Sequence, residues 1–193
     1  MSENNLHNEQ KLLNLLEKKF ILKGSSVRRE RRVEVKVEPK EIVPVLLYAK
    51  ENSGYTAFTH MSCVDWIEDG EFEVVYILWH PEEKINFFVK TRVSRDNGTL
   101  PNIDFIWRQA NTYEREIREM FGIQFEGLVG REEFILEDWE HMPPMRRDFD
   151  TVKFVEKTYF ERPGREDAKD VREYVQERTD EELPDFAKKY SRD

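Results

Sequence analysis

The chain has 193 residues, enough for one well-buried core with an arm or tail to spare. Its formal charge is −9. At 37% charged and 12% aromatic residues it is polar yet too aromatic for wholesale disorder, and nothing in it is built to neutralise phosphates, so nucleic acid is not the expected partner.

The longest apolar run is Val74–Trp79, strand length against the ~18–20 residues that span a bilayer. The first ten residues lack the basic and apolar regions of a signal peptide, so the expectation is a cytosolic protein whose membrane association comes through other subunits. Leu12, Leu13, Leu16 and Phe20 mark one face of a helix over 6–19, widened by Leu15. With Lys23-Gly-Ser-Ser26 after it, 1–26 reads as an N-terminal helical arm that folds back on the core or packs on a neighbour. Arg28-Arg-Glu-Arg-Arg32 is a solvated lead-in to the next strand, or a contact for lipid headgroups or an acidic partner.

Val33, Val35 and Val37 alternate with charged residues, the pattern of a half-buried strand. Pro39 opens a helix over 40–52 that turns Ile42, Val43, Leu46, Leu47 and Ala49 inward, with Pro44 tolerated in its first turn. Three strands follow, 55–64, 71–79 and 84–93, separated by Glu68-Asp-Gly70 and His80-Pro-Glu-Glu83 as antiparallel hairpin turns. The middle strand is apolar almost throughout and is expected in the interior, covered on both faces. Cys63 is the one cysteine, which excludes an internal disulfide or a four-thiolate cluster and reads as a small buried hydrophobe. His60 reads as a satisfied core residue, His80 as an exposed turn residue. Gly98-Thr-Leu-Pro101 breaks the pattern, and Ile103–Trp107 begins a short helical element. Together these give an α+β fold over 27–123, mainly an antiparallel sheet with helices on one face, followed by an irregular extended C-terminal segment.

The densest charge lies in Tyr113-Glu-Arg-Glu-Ile-Arg-Glu-Met-Phe-Gly122. Ala110, Tyr113, Ile117, Met120 and Phe121 recur at helical spacing and face a core; Glu114, Arg115, Glu116, Arg118 and Glu119 take the remaining surface, and Gly122 closes the helix in a left-handed conformation. Glu114–Arg118 and Arg115–Glu119 are four apart, but exposed pairs of this kind contribute only about 0.2–0.5 kcal/mol each. The helix is therefore either a solvated, ion-paired face or a charged docking surface that selects a partner and a register.

Residues 124–155 have scattered aromatics, two adjacent prolines and no steady period, and read as an extended partner-binding segment pinned by Phe125, Phe134, Trp139 and Phe149. From 156 to 193 the chain is a charged tail with a helix over 166–178. No phosphate loop, nucleophile elbow or paired Cys/His ligand motif occurs. Glu114, Glu116 and His141 are the only candidates for acid–base chemistry, and two carboxylates two apart on a helix do not face each other. Arg146 and Arg147 are suited to clamping a partner's carboxylates.

The segment Asn111–Gly127 resembles the signature of the 30 kDa, or C, subunit of respiratory complex I. A second block, Ile135-Leu-Glu-Asp-Trp-Glu-His-Met-Pro-Pro-Met-Arg-Arg-Asp-Phe149, is similar to the block that follows it in that family, and the resemblance covers roughly 39–149. The chain departs from the family at Gly127-Leu-Val-Gly-Arg-Glu-Glu133, at Thr112 and at Glu140-His-Met-Pro-Pro144. These departures point to a branch such as the related subunit of membrane-bound hydrogenases and ferredoxin-linked ion-pumping complexes, and leave donor and acceptor open.

The resemblance implies a non-catalytic peripheral-arm subunit on the cytoplasmic side of the membrane. It implies docking on the hydrogenase-like large (49 kDa, D-type) subunit beside an iron–sulfur small subunit and membrane antiporter-like subunits. No cofactor is expected on this chain, with iron–sulfur clusters in its partners. The implied interface residues are Glu114, Arg115, Glu116, Arg118, Phe121, Asp138, Trp139, His141, Arg146, Arg147, Asp148 and Phe149. A free-standing enzyme and a stand-alone adaptor domain are the readings from other classes.

Overall fold

A computed structural model describes residues 7–130 and 133–159. The described residues divide into two units, one ending at Phe149 and the other beginning at Asp150. The first is built on a five-stranded sheet: β1 (Leu22–Arg29), β2 (Arg32–Val37), β3 (Ala57–Trp66), β4 (Glu71–His80) and β5 (Ile85–Ser94), in spatial order β1-β2-β5-β4-β3. Every neighbouring pair is antiparallel except β2–β5, which run parallel because the chain crosses over between them. Helices α1 (His7–Lys19), α2 (Ile42–Asn52) and α3 (Ala110–Phe121) complete the α+β fold, and β6 (Thr99–Pro101) pairs in parallel with β7 (Gln124–Glu126).

The alternation along β2 and β5 decides where the core sits. Val33, Val35, Val37, Ile85, Phe87 and Val89 share a face with Phe72, Val74, Tyr76 and Leu78 of β4, and all are buried. Helices α1 and α2 close that face with Leu12, Leu13, Leu16, Ile42, Val45, Leu46 and Ala49. The first helix thus folds back onto the sheet, and buried Glu9 accepts the Arg31 N–H at 2.8 Å, fastening it to the β1–β2 turn. Strand β4 lies inside the sheet between β5 and β3, and Glu73 and Val75 are buried on its other side as well.

Several local expectations are corrected. Lys23–Ser26, read as the end of the N-terminal helical arm, is part of edge strand β1, because the Gly-Ser pair still pairs its backbone with Val35 and Lys36. The basic cluster 28–32, read as a lead-in to the next strand, does lead into β2 and is mostly exposed, but it includes the end of β1 and the turn at 30–31, with Arg31 at φ +60° and Arg28 ion-paired to buried Glu34 at 3.2 Å. Thr99–Pro101 is strand, and Ile103–Trp107 is a hydrogen-bonded turn pinned by Trp107 Nε1 to Thr56 O (2.9 Å) and by Lys50 Nζ to Ile106 O (2.6 Å). His60 is exposed, edge-on to Tyr113 at 5.1 Å, whereas His80 is half-buried and accepts the Glu83 N–H through Nδ1. Cys63 is half-buried, and burial pushes its thiol up, away from reactivity.

The second unit is described only by α4 (Thr151–Tyr159), a helix inside the stretch read as extended to residue 155. Asp150 caps it, taking the Lys153 N–H at 3.1 Å. The tail over 160–193, with its expected helix over 166–178, lies outside the described residues.

Gly54 marks the junction of α2 with β3. Its φ is +75°, and an added Cβ would collide with the His80 imidazole. Gly54→Ala is therefore expected to lower the unfolding free energy by about 1–3 kcal/mol, read from urea melts of the isolated chain.

Candidate partner-docking surface

Helix α3 ends where Gly122, at φ +87°, donates its N–H to Arg118 O. Ala110, Ile117 and Phe121 are buried against the sheet, and Tyr113 and Met120 pack at the margin. The charged residues divide into three groups.

Glu114 is a correction: it was expected on the surface as a partner contact, yet it is fully buried. Its Oε2 accepts from Asn102 Nδ2 and its Oε1 from Ile103 N–H, each at 2.7 Å, tying α3 to the loop after β6. Desolvation raises its carboxyl to about 7 against the Ile103 hydrogen bond, with nearby Asp104 adding to the rise. It sits at 0% exposure, so it touches no partner directly.

Arg115 and Glu119 hold the following segment. Arg115 donates to Glu133 O at 2.9 Å and lies over the Phe134 ring at 4.8 Å. Glu119 accepts three successive N–H groups, from Phe134, Ile135 and Leu136, at 2.7, 2.9 and 3.2 Å. A carboxylate that gathers consecutive amides fixes an otherwise irregular backbone, which is how 133–136 is ordered without a strand or helix. Glu116 stays exposed and Arg118 half-exposed on the outer side.

Arg146 and Arg147, expected to clamp a partner, are engaged within this chain. Arg146 donates to Phe121 O and Arg95 O, both at 2.8 Å, and stacks over Phe72. Arg147 donates through Nη1 to both Glu68 carboxylate oxygens and through its backbone N–H to Asp65 Oδ2 at 2.9 Å. Asp148 accepts from Arg95 at 2.7 Å. Arg95 in turn pairs with buried Asp65, its Nη2 donating to Oδ2 at 3.1 Å while Nε lies 2.8 Å from Oδ1 outside hydrogen-bond alignment. The second block is thus a strap belted to the sheet, and Trp139 packs against Phe149 and His141 along it.

The outcome is a surface in which α3 and 133–149 form one preordered face. Glu116, Asp138, Glu140 and His141 are exposed on it, and Arg118 and Trp139 partly so. Ile135, Met142 and Met145 add exposed apolar side chains. The sequence reading missed Glu119, Asp65, Glu68, Arg95 and Asn102 as the groups that build it. Only Glu119 carried a signal, its place in the charged run.

Residues 35–155 match the family described as respiratory-chain NADH dehydrogenase, 30 Kd subunit. The chain belongs to that family. Among 30 kDa-type relatives, the C subunit of the NADH-quinone oxidoreductase of Rickettsia bellii is 31% identical, the match covering 79% of each chain. An NADH-quinone oxidoreductase C/D protein of Aquifex aeolicus is 35% identical over 68% of this chain. This chain spans only 24% of that relative's length, and 21–24% across the first three matched.

A chain in the solved membrane-bound sulfane sulfur reductase, an archaeal respiratory membrane complex, superposes with a TM-score of 0.72 at 36% identity, covering 79% of this chain and 91% of that one. The trypsin-resistant fragment of Nqo5 shares the fold, with a TM-score of 0.52 at 22% identity, covering 64% of this chain and 99% of that one. Among the described residues no helix is long and apolar enough to cross a membrane, and no group of three or more His, Cys, Asp or Glu is placed to hold a metal ion.

Proposed function

We propose that this chain is a non-catalytic docking subunit of a complex-I-like, ion-translocating membrane oxidoreductase. It seats on the hydrogenase-derived large subunit through the face made by α3 and 133–149. The observation that carries this reading is the C/D relatives: a sequence like this chain makes up about a quarter of a polypeptide named for both subunits. A covalent link between two modules raises their effective concentration, which favours modules that work in contact.

The preordered face fits the role. Burying an already ordered segment costs less conformational entropy than ordering it at the moment of binding. Fixed charges such as Glu116 and Arg118 then set partner and register. In this reading the iron–sulfur clusters sit in the partner subunits, and the chain is peripheral on the cytoplasmic side of the membrane. Its contribution to electron transfer is to keep the cluster-bearing subunits in position.

A second reading, a subunit of a hydrogenase-type or sulfur-reducing respiratory complex, is favoured by the 36% identity over 79% of the chain to the archaeal sulfane sulfur reductase. Affinity purification from native membranes separates the two by the electron-input subunits recovered. In either complex, exposed Glu116→Lys should cut recovery of the large subunit about tenfold while the isolated chain melts unchanged. Undiminished recovery would defeat the docking role.

A further inference from the structure

An open groove of ≈ 900 Å³ lies between the C-terminal half of α3 and residues 133–143. We propose that it receives a basic peptide segment of the adjoining large subunit, an inference that rests on the docking reading and names the chemistry it uses. The groove has the volume of an ordinary ligand site and one wall fixed in advance. Glu119 holds 134–136 by its three backbone hydrogen bonds, Arg115 holds Glu133 O, and Trp139 Nε1 donates to Met142 O at 3.1 Å. Asp138 sits at φ +50°, a left-handed turn conformation that Asp adopts more readily than most residues, and its N–H reaches Glu133 Oε1 at 3.3 Å.

The charge of the lining then decides the occupant. With Glu119 committed to the wall, Glu133, Asp138 and Glu140 present three exposed carboxylates to the groove, set against the guanidinium of Arg118. An acidic or strongly apolar segment would leave those carboxylates facing like charge or stripped of water, each costing binding energy. Arg or Lys side chains satisfy them, a guanidinium by paired hydrogen bonds to one carboxylate.

The groove is also continuous with the proposed docking face, since α3 supplies one wall and the strap the other. An arginine- or lysine-bearing segment entering it would set the register in which the large subunit meets α3. Exposed charge pairs contribute modestly one at a time, but three carboxylates in a preformed groove act on the same segment.

The test uses the full chain, titrated calorimetrically with 15-residue peptides tiling the large-subunit sequence from the same complex. A peptide carrying at least two Arg or Lys residues is expected to bind, weakening about tenfold from low to physiological salt. Asp138→Asn with Glu140→Gln should weaken that binding about tenfold more without moving the melting temperature, both side chains being exposed. Binding confined to neutral or acidic peptides, binding undiminished in the double variant, or no binding to any peptide overturns the inference. Co-purification separates the two levels. A wild-type chain that recovers the large subunit no better than the double variant does removes the groove alone. A wild-type chain that never recovers it removes the docking role as well.

Discussion

Glu114→Ala should lower the unfolding free energy of the isolated chain by about 3–5 kcal/mol at about pH 5, larger than any substitution of the exposed charges beside it on α3. Asn102 Nδ2 and Ile103 N–H would lose their acceptor in a site from which water is excluded, and each stranded buried donor costs about 1–3 kcal/mol. The truncated side chain adds a cavity beneath the helix. The loop between β6 and α3 would be the first element released, so hydrogen exchange at Ile103 should accelerate before exchange in β4 or β5. A loss below about 1 kcal/mol would mean that other groups carry this junction.

The same residue has a pH signature of known sign. Its carboxyl is raised to about 7 in the folded chain, chiefly by desolvation, against an ordinary value of 4.5. The folded state therefore binds the proton more tightly than the unfolded state. The contribution is fully present below about pH 4.5 and is lost as pH rises to about 7, amounting to about 3 kcal/mol across the window. Glu114→Gln cannot titrate. Its urea-melt stability should stay flat between pH 4.5 and 7 where that of the wild type falls, even though its amide suits Asn102 less well than a carboxylate does.

Glu114 escaped the sequence reading for a physical reason. Helical spacing placed Tyr113, Ile117, Met120 and Phe121 correctly on or beside the core, because apolar periodicity is a property of the helix itself. Glu114 neighbours that stripe, but its burial depends on Asn102 and Ile103, 12 and 11 residues earlier, and no pattern along the helix records two distant donors. The hairpin β3–β4–β5 was legible for the converse reason, since alternation and turn residues are local. Strands β1, β6 and β7 were not, because Lys23–Ser26 and Thr99–Pro101 are held by pairing partners rather than by their own propensity. The strap shows the same limit. Arg146, Arg147 and Asp148 were visible as charges, but their partners within the chain, Phe121, Glu68 and Arg95, lie more than twenty positions away. The irregular stretch after Gly122 read as needing a partner chain, and part of that need is met by α3 and the sheet.

Arg95 is where that strap is tethered, and its removal carries the second large effect. Arg95→Met keeps most of the aliphatic bulk over Phe72 but strips Asp65 of its cation and Asp148 of its donor. The Asp65 side chain is only 2% exposed, and a buried carboxylate deprived of its partner costs about 3–5 kcal/mol. Asp65 Oδ2 would keep only the Arg147 N–H. Trypsin should then cut at Arg146 and Arg147 in the variant under conditions where the wild-type strap resists, because the backbone bonds Met145 N–H to Met120 O and Arg147 N–H to Asp65 would open together. Acid should loosen the wild type in the same place: Arg95 holds the Asp148 carboxyl below its usual range, so this tether persists above the ordinary carboxylate value and fails as pH drops through the depressed one. If the proposed docking role holds, large-subunit recovery should fall with it, since the strap carries one wall of the proposed face. Met substitution that leaves both the tryptic pattern and the recovery unchanged would show that Arg146, with its two carbonyl bonds, holds the strap alone.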